Sequence, residues 1–70
     1  MKVYIAMYGD IILAAKTTLK GAKKVCYMDY NTFRDIKEKM IWKRDLSNMY
    51  SAYVNDKYIG YTVERIEVTK

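Results

Sequence analysis

Residues 2–8, KVYIAMY, alternate: Val3, Ile5 and Met7 fall on one side and Lys2, Tyr4, Ala6 and Tyr8 on the other. A period of two over seven residues is the pattern of a half-buried strand. The same period returns near the other end, where Tyr50, Tyr53, Tyr58 and Tyr61 crowd into twelve positions. Strands at both ends of so short a chain constrain the fold most, because their partners must be brought together from far apart in sequence.

Between the ends, Gly9-Asp10 punctuates the first strand, and Gly9 can take a positive φ without steric cost. IILAAK, residues 11–16, then reads as the second strand of a hairpin. Thr17-Thr18 can cap a helix, since a threonine hydroxyl accepts from the free amides of a first turn. Leu19, Ala22, Val25 and Cys26 follow at helical spacing, with Lys20, Lys23 and Lys24 turned outward. Gly21 weakens such a helix by about 1 kcal/mol relative to alanine, or marks close packing against the sheet.

NTFRD, residues 31–35, offers a second helix start, with Thr32 and Asp35 as a variant capping box. Phe33, Ile36 and Met40, with Ile41 at its edge, form its apolar side, and it ends around Trp42 to Leu46. The tail hairpin turns at Asn55-Asp56, a type I′ pair, which sets Tyr53 opposite Tyr58 and Tyr50 opposite Tyr61 on different faces. Ala52, Val54, Ile59 and Val63 accompany Tyr50 and Tyr61, so theirs is the core face. Ser51, Gly60 and Thr62 accompany Tyr53 and Tyr58, so theirs is the open face. A three-residue turn at 55–57 would shift that register. Ile66 and Val68 stay on the apolar face only with a bulge near Glu64-Arg65.

These elements predict a single α+β domain over residues 1–70. It has a four-stranded, mostly antiparallel sheet in the order β-β-α-α-β-β, with one or two helices packed on one face. At 70 residues the core is thin. With 51% hydrophobic residues, a homodimer is a natural way to hide the excess.

The side-chain inventory argues against catalysis. There is no histidine, so no Ser-His or Cys-His nucleophile system exists. One cysteine and no histidine cannot furnish a zinc site. The eight carboxylates are scattered and no glycine-rich phosphate loop occurs, so neither a metal nor a cofactor is expected. Cys26 sits at an apolar helical position and reads as a small core hydrophobe. A lone cysteine forms no internal disulfide, which favours a reducing cytoplasm, and no apolar run approaches a membrane span.

The net charge of +5 is uneven. Residues 16–44 hold the whole excess, and Lys20, Lys23, Lys24, Arg34, Lys37, Lys43 and Arg44 are the candidate basic patch. Such a patch attracts acidic partners, nucleic acid included, or is simply a solvated helix face. Tyr53 and Tyr58, with Tyr4 and Tyr8 on the open side of the first strand, are the candidate partner-binding tyrosines. An exposed pair of this kind is either hairpin support or a contact surface. KYIGYTV and VYIAMY carry aromatics on strands as RNA-recognition motifs do, but a strand rather than a helix follows the first of them. Charge on the helices and tyrosines on the open sheet face put the two on opposite sides, against a joint site.

The opening MKVYIAMYGD, the lysine-rich LKGAKKVC and the closing ERIEV resemble small bacteriophage reading frames over the full length. Those with known roles often bind and disable a host protein, anti-CRISPR and other anti-defence factors among them. The resemblance implies a non-enzymatic inhibitor or modulator of a host protein, or of a protein–nucleic acid complex, working in the host cytoplasm. It marks no site residue. The alternative is a nucleic-acid-binding module that uses the basic segment 16–44.

Overall fold

The computed structural model describes residues 1–46 and 48–69. Its elements run β1 (Lys2–Tyr8), β2 (Ile11–Lys16), α1 (Leu19–Asn31), β3 (Ile41–Leu46), β4 (Met49–Val54) and β5 (Lys57–Glu67). The five strands form one sheet in the order β2-β1-β5-β4-β3, with every neighbouring pair antiparallel. The class is α+β, as the alternating ends imply, but with one helix and five strands rather than two helices and four strands.

The first helix forms where its spacing places it. Thr18 is the N-cap, and its hydroxyl accepts from the Gly21 amide at 3.0 Å. Gly21 is small for the sake of that cap. A Cβ there would lie 3.0 Å from the Thr18 hydroxyl and 3.5 Å from the Lys16 side chain at the end of β2.

The expected second helix does not form. Thr32 instead donates to the Met28 carbonyl at 2.5 Å, closing α1 rather than opening a new helix. Residues 32–40 make a loop, and residues 41–46 become the edge strand β3. Phe33 and Ile36, expected in a core, are 97% and 81% exposed. The expected end of that helix, residues 41–46, pairs with β4 as an edge strand instead, which leaves only 32–40 to connect it to α1. Buried Asn31 stabilises the loop instead. Its amide donates to the carbonyls of Tyr27 and Glu38, and its oxygen accepts from the Glu38 amide at 2.8 Å. The Lys37 ammonium donates to the carbonyls of Asn31 and Arg34, a cation placed at the negative end of the helix.

Ala6, Ala22, Cys26 and Ala52 are all fully buried, so the helix rests on small residues. Val54, Tyr61, Val63 and Met40 complete the core, with Tyr4, Leu13, Leu19, Val25, Tyr30, Trp42, Tyr50 and Ile59 packed at its margin. Cys26 lies there as expected, and desolvation pushes its thiol up to about 11.

Tyr4 and Ala6 face the helix, and Val3, Ile5 and Met7 face away. That reverses the expected placing of Tyr4 and Tyr8 on the open side. Alternation separates two faces but does not say which is covered. Here the small Ala6 decides it, because the helix can approach closely only there.

The tail turn is as expected. Asn55 and Asp56 have φ of 50° and 66°, the pair of positive values of a type I′ turn, and Tyr53 pairs with Tyr58. Beyond it the register departs from expectation. Tyr50 pairs with Val63, and Tyr61 pairs with Tyr8 of β1. The shift falls between the pairs Ser51–Thr62 and Tyr53–Tyr58, where β5 carries Gly60 at φ 89°. No bulge occurs near Glu64-Arg65, and β5 pairs with β1 without interruption from Tyr61 to Glu67. Ile66 therefore sits on the open face beside Val3.

Candidate functional site: a basic and aromatic groove beside the helix

Because α1 lies over β1, β2 and β5, the outer hairpin of β3 and β4 extends beyond it. The helix-side surface of that hairpin carries Trp42 and Arg44 on β3 and Tyr50 on β4, with Trp42 paired to Ala52 and Arg44 to Tyr50. Trp42 and Tyr50 are half-buried. The flank of α1 forms the wall above them. Lys23 reaches across and sets its ammonium 5.8 Å from the Trp42 ring centre and 5.7 Å from that of Tyr50. The Arg44 guanidinium is 5.8 Å from the Tyr50 ring. Such contacts are attractive because the ring face carries negative potential.

Lys20, Lys23 and Tyr27 succeed one another at i, i+3 and i+7, so helical geometry puts them along the same flank, with Lys24 next to Lys20. Arg65 joins them on the sheet. It pairs with Tyr4, whose side chain packs on the core, and so it occupies a helix-side position. The only acid of α1, Asp29, is on the opposite flank, where it accepts from the Tyr61 hydroxyl at 2.5 Å. Asp45 and Glu64 pair or bond with residues of the other face: the Ser51 hydroxyl donates to Asp45, and Glu64 pairs with Ile5. The groove is thus lined by cations and rings; Glu67, at a helix-side position two residues beyond Arg65, lies 3.6 Å from the amino terminus.

The predicted basic patch divides three ways. Lys23 and Arg44 meet the rings of the groove, Lys20 follows one turn along the same flank, and Lys24 is exposed on the outer side of α1. Lys43 is on the opposite face, with its ammonium 4.6 Å over the Tyr53 ring. Arg34 and Lys37 close the end of α1. The Arg34 guanidinium stacks 4.0 Å over Tyr30 and donates to the Tyr30 carbonyl. Sequence reasoning missed Trp42, Tyr50 and Arg65 as lining residues. Reading 41–46 as the end of a helix hid the first, and the parity of Arg65 with Val63 was the signal for the last.

The predicted tyrosines divide as well. Tyr53 and Tyr58 form a tilted pair on the open face with ring centres 5.9 Å apart, and Tyr58 is 55% exposed. Tyr4 is half-buried beneath the helix. Tyr8 stacks on Tyr61 at 4.7 Å, and Tyr30 meets Tyr61 edge-on at 5.9 Å. Tyr8 and Tyr4 therefore belong to the helix side.

A shallow cavity of about 330 Å³ lies at the end of α1, lined by Tyr27, Met28, Asn31, Thr32 and Lys37. Asn31, Thr32 and Lys37 in its wall are already bonded to backbone groups of the helix end and the loop. Among the described residues, no helix is long and apolar enough to cross a membrane. No family model, curated protein or solved structure matches the chain.

Proposed function

We propose that this chain is a non-catalytic binding protein that holds a single-stranded nucleic acid segment in the groove between α1 and the β3–β4 hairpin. The observation that carries this reading is Lys23 over Trp42 and Tyr50, which places charge and rings on one side of the molecule. The expected separation of helix charge from sheet aromatics does not apply to this groove. Single strands bind by such means without any motif: cations follow the phosphates while rings stack on bases, at about 1–3 kcal/mol per stacked base. Lys23 gives up its ring contacts to a phosphate, and the rings turn their faces to bases.

The only tryptophan of the chain is Trp42, so its fluorescence reports the groove directly. Titration with a short oligothymidylate at low salt should quench it. If Lys20, Lys23, Arg44 and Arg65 all meet phosphates, the slope of log affinity against log salt is about −3. Charge reversal at Lys20, Lys23 and Lys24 should weaken binding at least tenfold. Absence of quenching and of binding to any single strand at low salt overturns the reading.

A second reading, a modulator of a host protein, is favoured by the Tyr53–Tyr58 pair. With Lys43 over Tyr53 and half-exposed Ile41 opposite it, the pair makes a compact contact surface on the other face. Capture from a nuclease-treated host lysate that is lost in the Tyr53→Ala/Tyr58→Ala double variant supports it. Capture that vanishes with nuclease alone returns the case to nucleic acid.

A further inference from the structure

We propose that the face of the sheet turned away from α1 is the seat of a second copy of this chain. The inference is independent of the groove, which lies on the opposite side.

The face is built of contiguous apolar rows. Met7 on β1 pairs with Ile12 on β2, Ile5 with Ala15, and Val3 with Ile66 on β5. Ile12 is 65% exposed and Ile66 40%. The strand β1 is therefore apolar on both sides, the pattern of a strand covered on both faces. A single helix covers one of them. An antiparallel sheet that met only water on its second face would carry polar residues there. The side of β1 read from the sequence as open, with Tyr4 and Ala6, is the one under the helix, and the side left uncovered is the apolar Val3, Ile5 and Met7.

Area and charge select the occupant. Five strands about 4.8 Å apart, each about six residues long at about 3.3 Å per residue, present a face of roughly 24 by 20 Å. Two such faces together bury about 1,000 Å² before side-chain relief is counted, the lower bound of a specific interface. The chain as a whole carries +5, which opposes self-association through most of its surface. Among the described strand residues, Lys2, Lys16, Arg44, Lys57 and Arg65 sit at helix-side register positions, against one carboxylate there, Glu67 opposite Lys2. The open face carries Lys43 against Asp45 and Glu64, so it is where two identical cationic chains repel least. Carrying both signs, it also meets the need of a two-fold interface, in which each patch must complement itself.

Sedimentation equilibrium of the whole chain over a wide concentration range tests this. The expected mass is twice 8.3 kDa. Ile12→Lys and Ile66→Lys should each weaken the dimer at least a hundredfold, and a dilute sample should keep its native circular dichroism because both side chains are exposed. Ile11→Lys is the control. Ile11 neighbours Ile12 on the same edge strand and is 62% exposed, but it pairs with Tyr8 on the helix side, so its variant should remain dimeric. A mass of 8.3 kDa at every concentration overturns the proposal, as does a complex that holds one copy of the chain and an unlike protein on this face. So does a dimer that survives Ile12→Lys and Ile66→Lys. Equal loss from Ile11→Lys and Ile12→Lys also overturns it, since that is the signature of pairing along the β2 edge.

Discussion

Tyr61 on β5 donates its hydroxyl to Asp29 of α1 at 2.5 Å, and it is the one ring that meets both Tyr8 and Tyr30. It is 5% exposed. This contact ties helix to sheet through a polar tip as well as an apolar body. Tyr61→Phe keeps the ring and should cost about 1 kcal/mol, the net worth of a hydrogen bond, or somewhat more because the acceptor is charged. Tyr61→Ala should cost about 3–5 kcal/mol through the cavity left under α1. The Tyr53→Ala/Tyr58→Ala double variant should cost no more than about 1 kcal/mol. Urea unfolding followed by circular dichroism checks all three; a destabilised Tyr53/Tyr58 variant beside a stable Tyr61→Ala would reverse the faces assigned here.

Asn31 holds the 32–40 loop through three hydrogen bonds, two of them to Glu38. Asn31→Ala should cost about 2–3 kcal/mol, because it removes three hydrogen bonds of a buried side chain, two of them to the half-buried Glu38 backbone. Phe33→Ala, at a side chain 97% exposed, should stay within about 0.5 kcal/mol of the parent. Hydrogen exchange at the Glu38 amide should accelerate sharply in the first variant and not in the second.

Gly60 combines a φ of 89° with a neighbour: a Cβ there would lie 3.1 Å from the Tyr8 ring. Gly9, at φ 58°, has nothing within 4 Å of the same position. Gly60→Ala therefore meets strain and a clash, and Gly9→Ala strain alone. Thermal melts should rank Gly60→Ala as the more damaging, by about 1 kcal/mol or more.

Alkaline pH should destabilise the fold. Burial raises the Cys26 thiol from 9.0 to about 11 and, together with the Asp29 contact, raises the Tyr61 phenol above its ordinary value. In both cases the native state keeps a proton that the unfolded chain has lost, so stability is full below pH 9 and falls as pH rises toward 11. The Cys26 share is at most about 3 kcal/mol. Melting temperatures measured from pH 8 to 11 should fall, and Cys26→Ala should flatten that fall. A Cys26 thiol that reacts rapidly in the native state contradicts its placing in the core.

The legible parts of this fold are those where one local signal dictates one local structure. Thr18 caps α1, Cys26 lies beneath it, and Asn55-Asp56 turns the tail hairpin, each for reasons contained in a few neighbouring residues. The parts that were not legible depend on competition between distant segments. Phe33, Ile36 and Met40 have helical spacing, but whether that helix forms depends on a distant competitor, and β4 claims residues 41–46 as an edge strand. Which side of β1 is covered depends on how closely a helix can approach Ala6. The register beyond Gly60 depends on β1 claiming Tyr61 for Tyr8. For the same reason the groove was hidden: Trp42 and Arg44 face one way only once residues 41–46 are a strand.

The pairing of β1 with β5 joins Lys2 to Glu67, nearly the whole length of the chain. A growing polypeptide therefore cannot close its sheet until β5 has left the ribosome. The meander of β3, β4 and β5 closes small loops and needs little chain entropy, whereas docking of the β1–β2–α1 half closes a large one. Until then KVYIAMY is paired with β2 along one edge only, and its other edge is open to whatever else in the cell can pair with it.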